Sequence, residues 1–78
     1  MHEPFTRTPT QITGARIREL RERGGTSRAE LSRRSGVHAS NIARIELGEA
    51  NPSLTTLAHL AGALDTTVAD LVRDVRSE

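Results

Sequence analysis

Ala39, Ser40 and Arg44 carry the most suggestive chemistry in this 78-residue chain. If the stretch is helical, Ser40 and Arg44 sit one turn apart on one face, with Ala39 in the first turn beside them. Taking Ile42 as the inward direction at about 100° per residue, Ile45 falls within about 60° of it, while Ser40 and Arg44 point nearly opposite. Such a face suits recognition, the alternative being an ordinary solvated face on a surface helix. A small residue permits close approach, a hydroxyl donates or accepts, and a guanidinium can fork onto two acceptors such as guanine O6 and N7. Groups for bond-making chemistry are sparse. There is no cysteine, hence no thiolate nucleophile, disulfide or thiolate metal site. His2, His38 and His59 are too scattered to hold a metal, and the Ser and Asp residues fall mainly where helices start. The expectation is a binding protein, not an enzyme, with no catalytic residue, metal or cofactor.

These residues need elements to position them. Residues 1–10, with two prolines, three threonines and one Phe, read as a flexible N-terminal arm, and residues 11–78 as one domain. From Ile12 the pattern is helical, with Ile12, Ile17 and Leu20 sharing a face, until Gly24-Gly25 ends it. Ser27 and Glu30 have the spacing of a reciprocal capping box for a second helix, Arg28–Ser35, which Gly36 stops. A third helix spans about Ala39–Leu47 before Gly48, with His38 at a cap position where Ser or Thr is usual. Ser53 caps a fourth helix whose stripe is Leu54, Leu57, Ala58, Ala61 and Leu64. Thr67 and Asp70 form a cap pair for a fifth, carrying Val68, Leu71, Val72 and Val75. Five short helices and no strand make an all-α fold.

Charge is unevenly spread. Residues 1–46 hold nine arginines against five acids, for +4, and residues 47–78 hold two arginines against five acids, for −3. A basic half and an acidic half read either as one face for a polyanion and another for something else, or as a solvated mixed surface. No apolar run approaches the roughly 20 residues of a membrane span, and the start lacks a secretory h-region. The absence of cysteine fits a reducing compartment, so a cytoplasmic, nucleoid-associated location is expected.

The segments IRELRE, SRAELSRRSGV, NIARIELG, NPSLTTLAHLAGAL and TTVADL, in that order and spacing, resemble the phage repressor/Cro-type (XRE-like) helix-turn-helix family over about residues 12–72. The resemblance implies a compact five-helix, lambda-repressor-like domain that binds double-stranded DNA, with the N-terminal part of the third helix in the major groove. It puts Ala39, Ser40 and Arg44 at the bases. Arg28, where the family often has Gln, Asn41 and Asn51 are expected at the DNA backbone, though Asn51 also reads as a plain turn residue before proline. Arg21 and Glu46 match positions that form a largely buried structural ion pair. Arg16, Arg33 and Arg34 are expected to add field without specific contacts. The chain departs from the family at Thr26, usually apolar, at Asp65, usually glycine, and at Leu47, usually polar.

One unit this small reads little DNA, so a homodimer on a pseudo-palindromic operator, acting as a repressor, is expected. Val72 and Val75 extend the fifth stripe beyond a monomer's need and are the candidate dimer contact, with Val75 alternatively completing the core. The rival reading is an antitoxin or adaptor in which the same helix faces a protein partner, a toxin or another regulator. Leu47 on the outward face favours that partner, and the basic first half favours DNA. No membrane partner is expected.

Overall fold

Thr8 stands before Pro9, and both residue types favour the start of a helix. The Thr8 hydroxyl accepts from the Gln11 amide at 3.3 Å, the Gln11 side chain accepts from the Thr8 amide at 2.9 Å, and proline at the first helical position gives up no hydrogen bond. In the computed structural model, which describes residues 7–76, helix α1 accordingly spans Pro9–Arg23. Residues 8–10, expected in the arm, therefore belong to α1 and its cap. Residues 1–6 of that arm, and residues 77 and 78 of the domain, lie outside the described residues.

Four more helices follow: α2 (Arg28–Ser35), α3 (Ala39–Glu46), α4 (Leu54–Ala63) and α5 (Val68–Leu71), with no strand among the described residues. The all-α expectation holds. Between α2 and α3 the backbone must reverse within a few residues. Gly36 makes this possible at φ +79°, its amide donating to Ser32 O at 2.8 Å. That left-handed conformation costs a side-chain-bearing residue roughly 1–2 kcal/mol and glycine almost nothing. Asp65, after α4, adopts φ +60° and is the one non-glycine there among the described residues.

The buried residues Ile17, Leu31, Val37, Ile42, Ile45, Leu57, Leu60, Ala61 and Leu71 form one cluster, drawn from every helix and from the α2–α3 turn. A fully buried Ile or Leu contributes roughly 1.5–3 kcal/mol of transfer free energy. Helix α3 is thus held by Ile42 and Ile45, both wholly buried, while its opposite face is left to solvent.

Four local expectations are corrected. The inward face of α1 holds Thr13, Gly14, Ile17 and Arg21, and Ile12 is only half-buried, because Ile12 lies about 140° around the helix from Ile17. On α4 the core residues are Leu57, Leu60 and Ala61, whereas Leu54 is 72% exposed, since its first turn projects past the core. The Thr67–Asp70 cap pair forms, but the reciprocal half of the box expected at Ser27 and Glu30 does not. Ser27 and Thr67 accept from the amides of Glu30 and Asp70, but both carboxylates turn to arginines, which offer stronger charge-assisted bonds. Finally, α5 is one turn long and Val72 and Val75 lie beyond it. Val72 is β-branched and of low helix propensity, and Leu71 already satisfies the core.

The Asp70 carboxylate joins the two ends of the fold. Arg16 of α1 donates Nη2 to both its oxygens at 2.9 and 3.0 Å and Nη1 to Glu19 at 2.8 Å, while Thr66 adds a 2.9 Å bond to Asp70. Arg16 thus makes specific contacts beyond the field expected of it. The Arg16 bond, then that of Thr66, holds the Asp70 carboxyl below its usual value. A carboxylate with a depressed folded-state pKa stabilises the fold above its unfolded pKa, near 4, and that contribution disappears as pH falls through the folded value. Asp70→Asn should therefore lower the melting temperature at pH 7, with the gap to wild type narrowing below about pH 4. Circular-dichroism melts from pH 7 to 2 check this, and a gap independent of pH would refute it.

Candidate nucleic-acid interface

Helix α3 presents two very different sides. Ile42, Ile45 and Glu46 are buried; Ser40 and Arg44 are exposed, and Ala39 and Asn41 are half-buried beside them. His38 occupies the N-cap but makes no side-chain cap bond, leaving the first-turn amides without that partner. Leu47, just past the helix, is 59% exposed.

Arginine pairing separates these residues further. On α1 and α2, Arg16, Arg18, Arg21, Arg23, Arg28, Arg33 and Arg34 each meet a carboxylate. Arg33 and Arg34 both bond Glu30, so much of their positive field is neutralised locally, and they hold Glu30 below its ordinary pKa, Arg34 most strongly. Arg44 is the one helical arginine that meets no carboxylate among the described residues. Its one side-chain bond among the described residues is a long one, from Nη2 to Glu49 O at 3.4 Å. Its charge and most of its donors are available at the surface.

Behind this face lies a buried ionic cluster. Arg21 donates Nε to Glu46 Oε2 at 2.6 Å and Nη2 to Oε1 at 3.0 Å, and its Nη1 reaches Thr26 O at 2.9 Å. The Glu46 side chain is fully buried and that of Arg21 nearly so. The Glu46 bonds raise the Arg21 pKa further, so this guanidinium keeps its charge. Arg28 joins it, Nε to Glu46 Oε1 at 2.9 Å, with its own side chain 40% exposed. Three helices therefore meet on one carboxylate.

The structure brings Ala39, Ser40 and Arg44 together on α3 and links Arg28 to α3 through Glu46. Asn51 stands exposed in the loop before α4. Val72 and Val75 are half-buried and line a cavity of about 160 Å³ with Pro9, Thr10, Thr13, Asn51, Pro52 and Leu57, so they are not a projecting stripe on a helix.

Sequence reading missed Gly14. A Cβ built there would lie 2.0 Å from Ile45 O, so α1 and α3 touch backbone to backbone at this point. A lone glycine within a helical pattern is the signal that was available.

With this geometry in view, relatives are informative. The sequence profile of the helix-turn-helix family matches residues 17–71. The chain belongs to the XRE-type helix-turn-helix family. An uncharacterised HTH-type transcriptional regulator of Sinorhizobium fredii is 32% identical over 62 residues, covering 80% of each chain. The control protein C.SmaI of Serratia marcescens is 36% identical over 62 residues, covering 80% of this chain and 74% of its own. Among solved structures, the restriction-modification controller protein C.AhdI of Aeromonas hydrophila superimposes with a TM-score of 0.77 at 37% identity, over 80% of this chain and 94% of that one. As a member of this helix-turn-helix family, the chain is a sequence-specific DNA-binding transcriptional regulator, and the family is not one of enzymes. Helices α2 and α3 are the helix-turn-helix itself. Among the described residues, no helix is long and apolar enough to cross a membrane.

Proposed function

We propose that this regulator binds a pseudo-palindromic operator as a homodimer and represses transcription there, with α3 in the major groove. The observation that carries the reading is Arg44: every other helical arginine is engaged by a carboxylate, while this one stands exposed beside Ser40 on the outward face of α3. Ala39, Ser40 and Arg44 then face base edges, with Arg44 suited to a bidentate contact with guanine. Arg28, Asn41 and Asn51 sit at the DNA backbone, Arg28 assisted by the start of α2. Val72 and Val75, at the acidic end of the chain, contribute the dimer contact. The likeness to C.AhdI, a restriction-modification controller protein, supports restriction–modification genes as the regulated target.

Selection of bound sequences from random DNA tests the reading, with wild type and Arg44→Ala compared. Wild type should enrich a two-fold-related pair of half-sites. Arg44→Ala should lose preference at one base pair per half-site, at roughly 1–3 kcal/mol. Equal weakening on all sequences would make Arg44 a phosphate contact. No enrichment by wild type would favour a protein partner for α3 and the exposed Leu47.

A further inference from the structure

Glu46 shares its two oxygens among three donors. Oε2 takes Arg21 Nε, and Oε1 takes both Arg21 Nη2 and Arg28 Nε. The carboxylate is fully buried, yet the Arg28 side chain that reaches it is 40% exposed. Arg28 is therefore held at its inner edge. A guanidinium is planar, so a bond to Nε restrains the plane and with it the direction of both terminal nitrogens. Those nitrogens have no hydrogen-bond partner among the described residues. Glu22 feels the Arg28 charge, but the two form no ion pair within 4.0 Å. One carboxylate facing two arginines also leaves the cluster with a net positive charge, and Arg28 is its outer member.

We propose that Glu46 is a positioning residue for DNA binding: through Arg28 Nε it aims the free end of that guanidinium at a backbone phosphate, so the anchor of α3 and the grip of α2 on DNA form one unit. This deepens the function proposed above and rests on its placement of Arg28 at the DNA backbone. The fork is essential. Nε can stay on Glu46 while two terminal donors bind a phosphate, whereas a lysine ammonium carries its three donors on one nitrogen, with no rigid plane to hold an anchor and a phosphate contact apart. The consequence is a register lock. If α2 and α3 shift relative to one another, the phosphate contact and the base contacts loosen together.

The test is a double-mutant cycle on DNA affinity. The full chain, with Arg28→Gln, Glu46→Gln, both, or Arg28→Lys, is titrated with its selected site and with an unrelated duplex across a salt series. Circular dichroism at the same temperature gives the folded fraction. Arg28→Gln should reduce the steepness of log K against log salt by about 0.9 per chain. Glu46→Gln, corrected for folded fraction, should weaken binding about tenfold when Arg28 is intact and less than about twofold in the Arg28→Gln background. Arg28→Lys should keep the salt slope while losing at least about fivefold in affinity. Equal cost of Glu46→Gln in both backgrounds overturns the positioning role. If Glu46→Gln does not fold, Arg28→Lys decides, and wild-type affinity overturns it. An unchanged salt slope in Arg28→Gln, with a lower melting temperature, removes Arg28 from the DNA backbone altogether, while leaving sequence selection by Arg44 intact.

Discussion

Glu46→Ala should lower the unfolding free energy by roughly 3–5 kcal/mol, the usual result of leaving a buried charge without its partner. A domain of this size has on the order of 4–12 kcal/mol in total at roughly 0.05–0.15 kcal/mol per residue, so the variant should lose a large share of its stability. Arg21 bears most of the loss. It is 8% exposed, and both bonds from its Nε and Nη2 end on Glu46. Arg28, 40% exposed, can turn to water. The large penalty says little about the pair's net value, because replacing buried ions together with apolar groups is often neutral. Arg21→Met combined with Glu46→Leu should therefore recover much of the stability lost by Glu46→Ala. Urea unfolding followed by circular dichroism measures all three proteins. A Glu46→Ala midpoint within error of wild type would falsify the assigned role of this pair.

Gly14→Ala should be comparably damaging for an unrelated reason. The added carbon would lie 2.0 Å from Ile45 O, 3.1 Å from Ile45 C and 3.2 Å from Glu46 C. All three are backbone atoms, so no side-chain rotation relieves the clash, and α1 must move away from α3. Overpacking typically costs about 1–3 kcal/mol, and rigid backbone on both sides places this case at the upper end, even after roughly 1 kcal/mol gained in helix propensity. At about 4–8 °C per kcal/mol for a domain this small, the melting temperature should fall by well over 10 °C. Gly62→Ala is the matched control. It lies on α4 with nothing within 4 Å of the new carbon, and it should stabilise slightly. Similar melting shifts in the two variants would show that propensity, and not contact, governs position 14.

Much of the architecture was readable along the chain. The ends of α2 and α3 follow from Ser27, Gly36 and Gly48, because caps and left-handed turns are local physics acting over four or five residues. The burial of Ile42 and Ile45, and hence the exposure of Ser40 and Arg44, follows from helical period alone. The order of segments was enough to name the family. Errors arose where local rules compete with other partners. Glu30 has capping-box spacing to Ser27, yet Arg33 and Arg34 hold its carboxylate, because a charged donor binds it more strongly than a neutral amide. Helix α5 stops at Leu71 although Val72 and Val75 continue the apolar spacing.

What the amino-acid order determined by itself is the set of helices, their inward sides and the outward face of α3, all consequences of periodicity and capping. What only the tertiary structure decided is which charges find each other. Arg16 reaches Asp70 across 54 positions, Arg28 reaches Glu46 across 18, and Arg44 meets no carboxylate at all among the described residues. Composition places nine arginines in the first 46 residues but cannot rank them. Ranking depends on distances of about 3 Å, set by how helices cross, and here that crossing is fixed by the absent side chain of Gly14 against the backbone of Ile45.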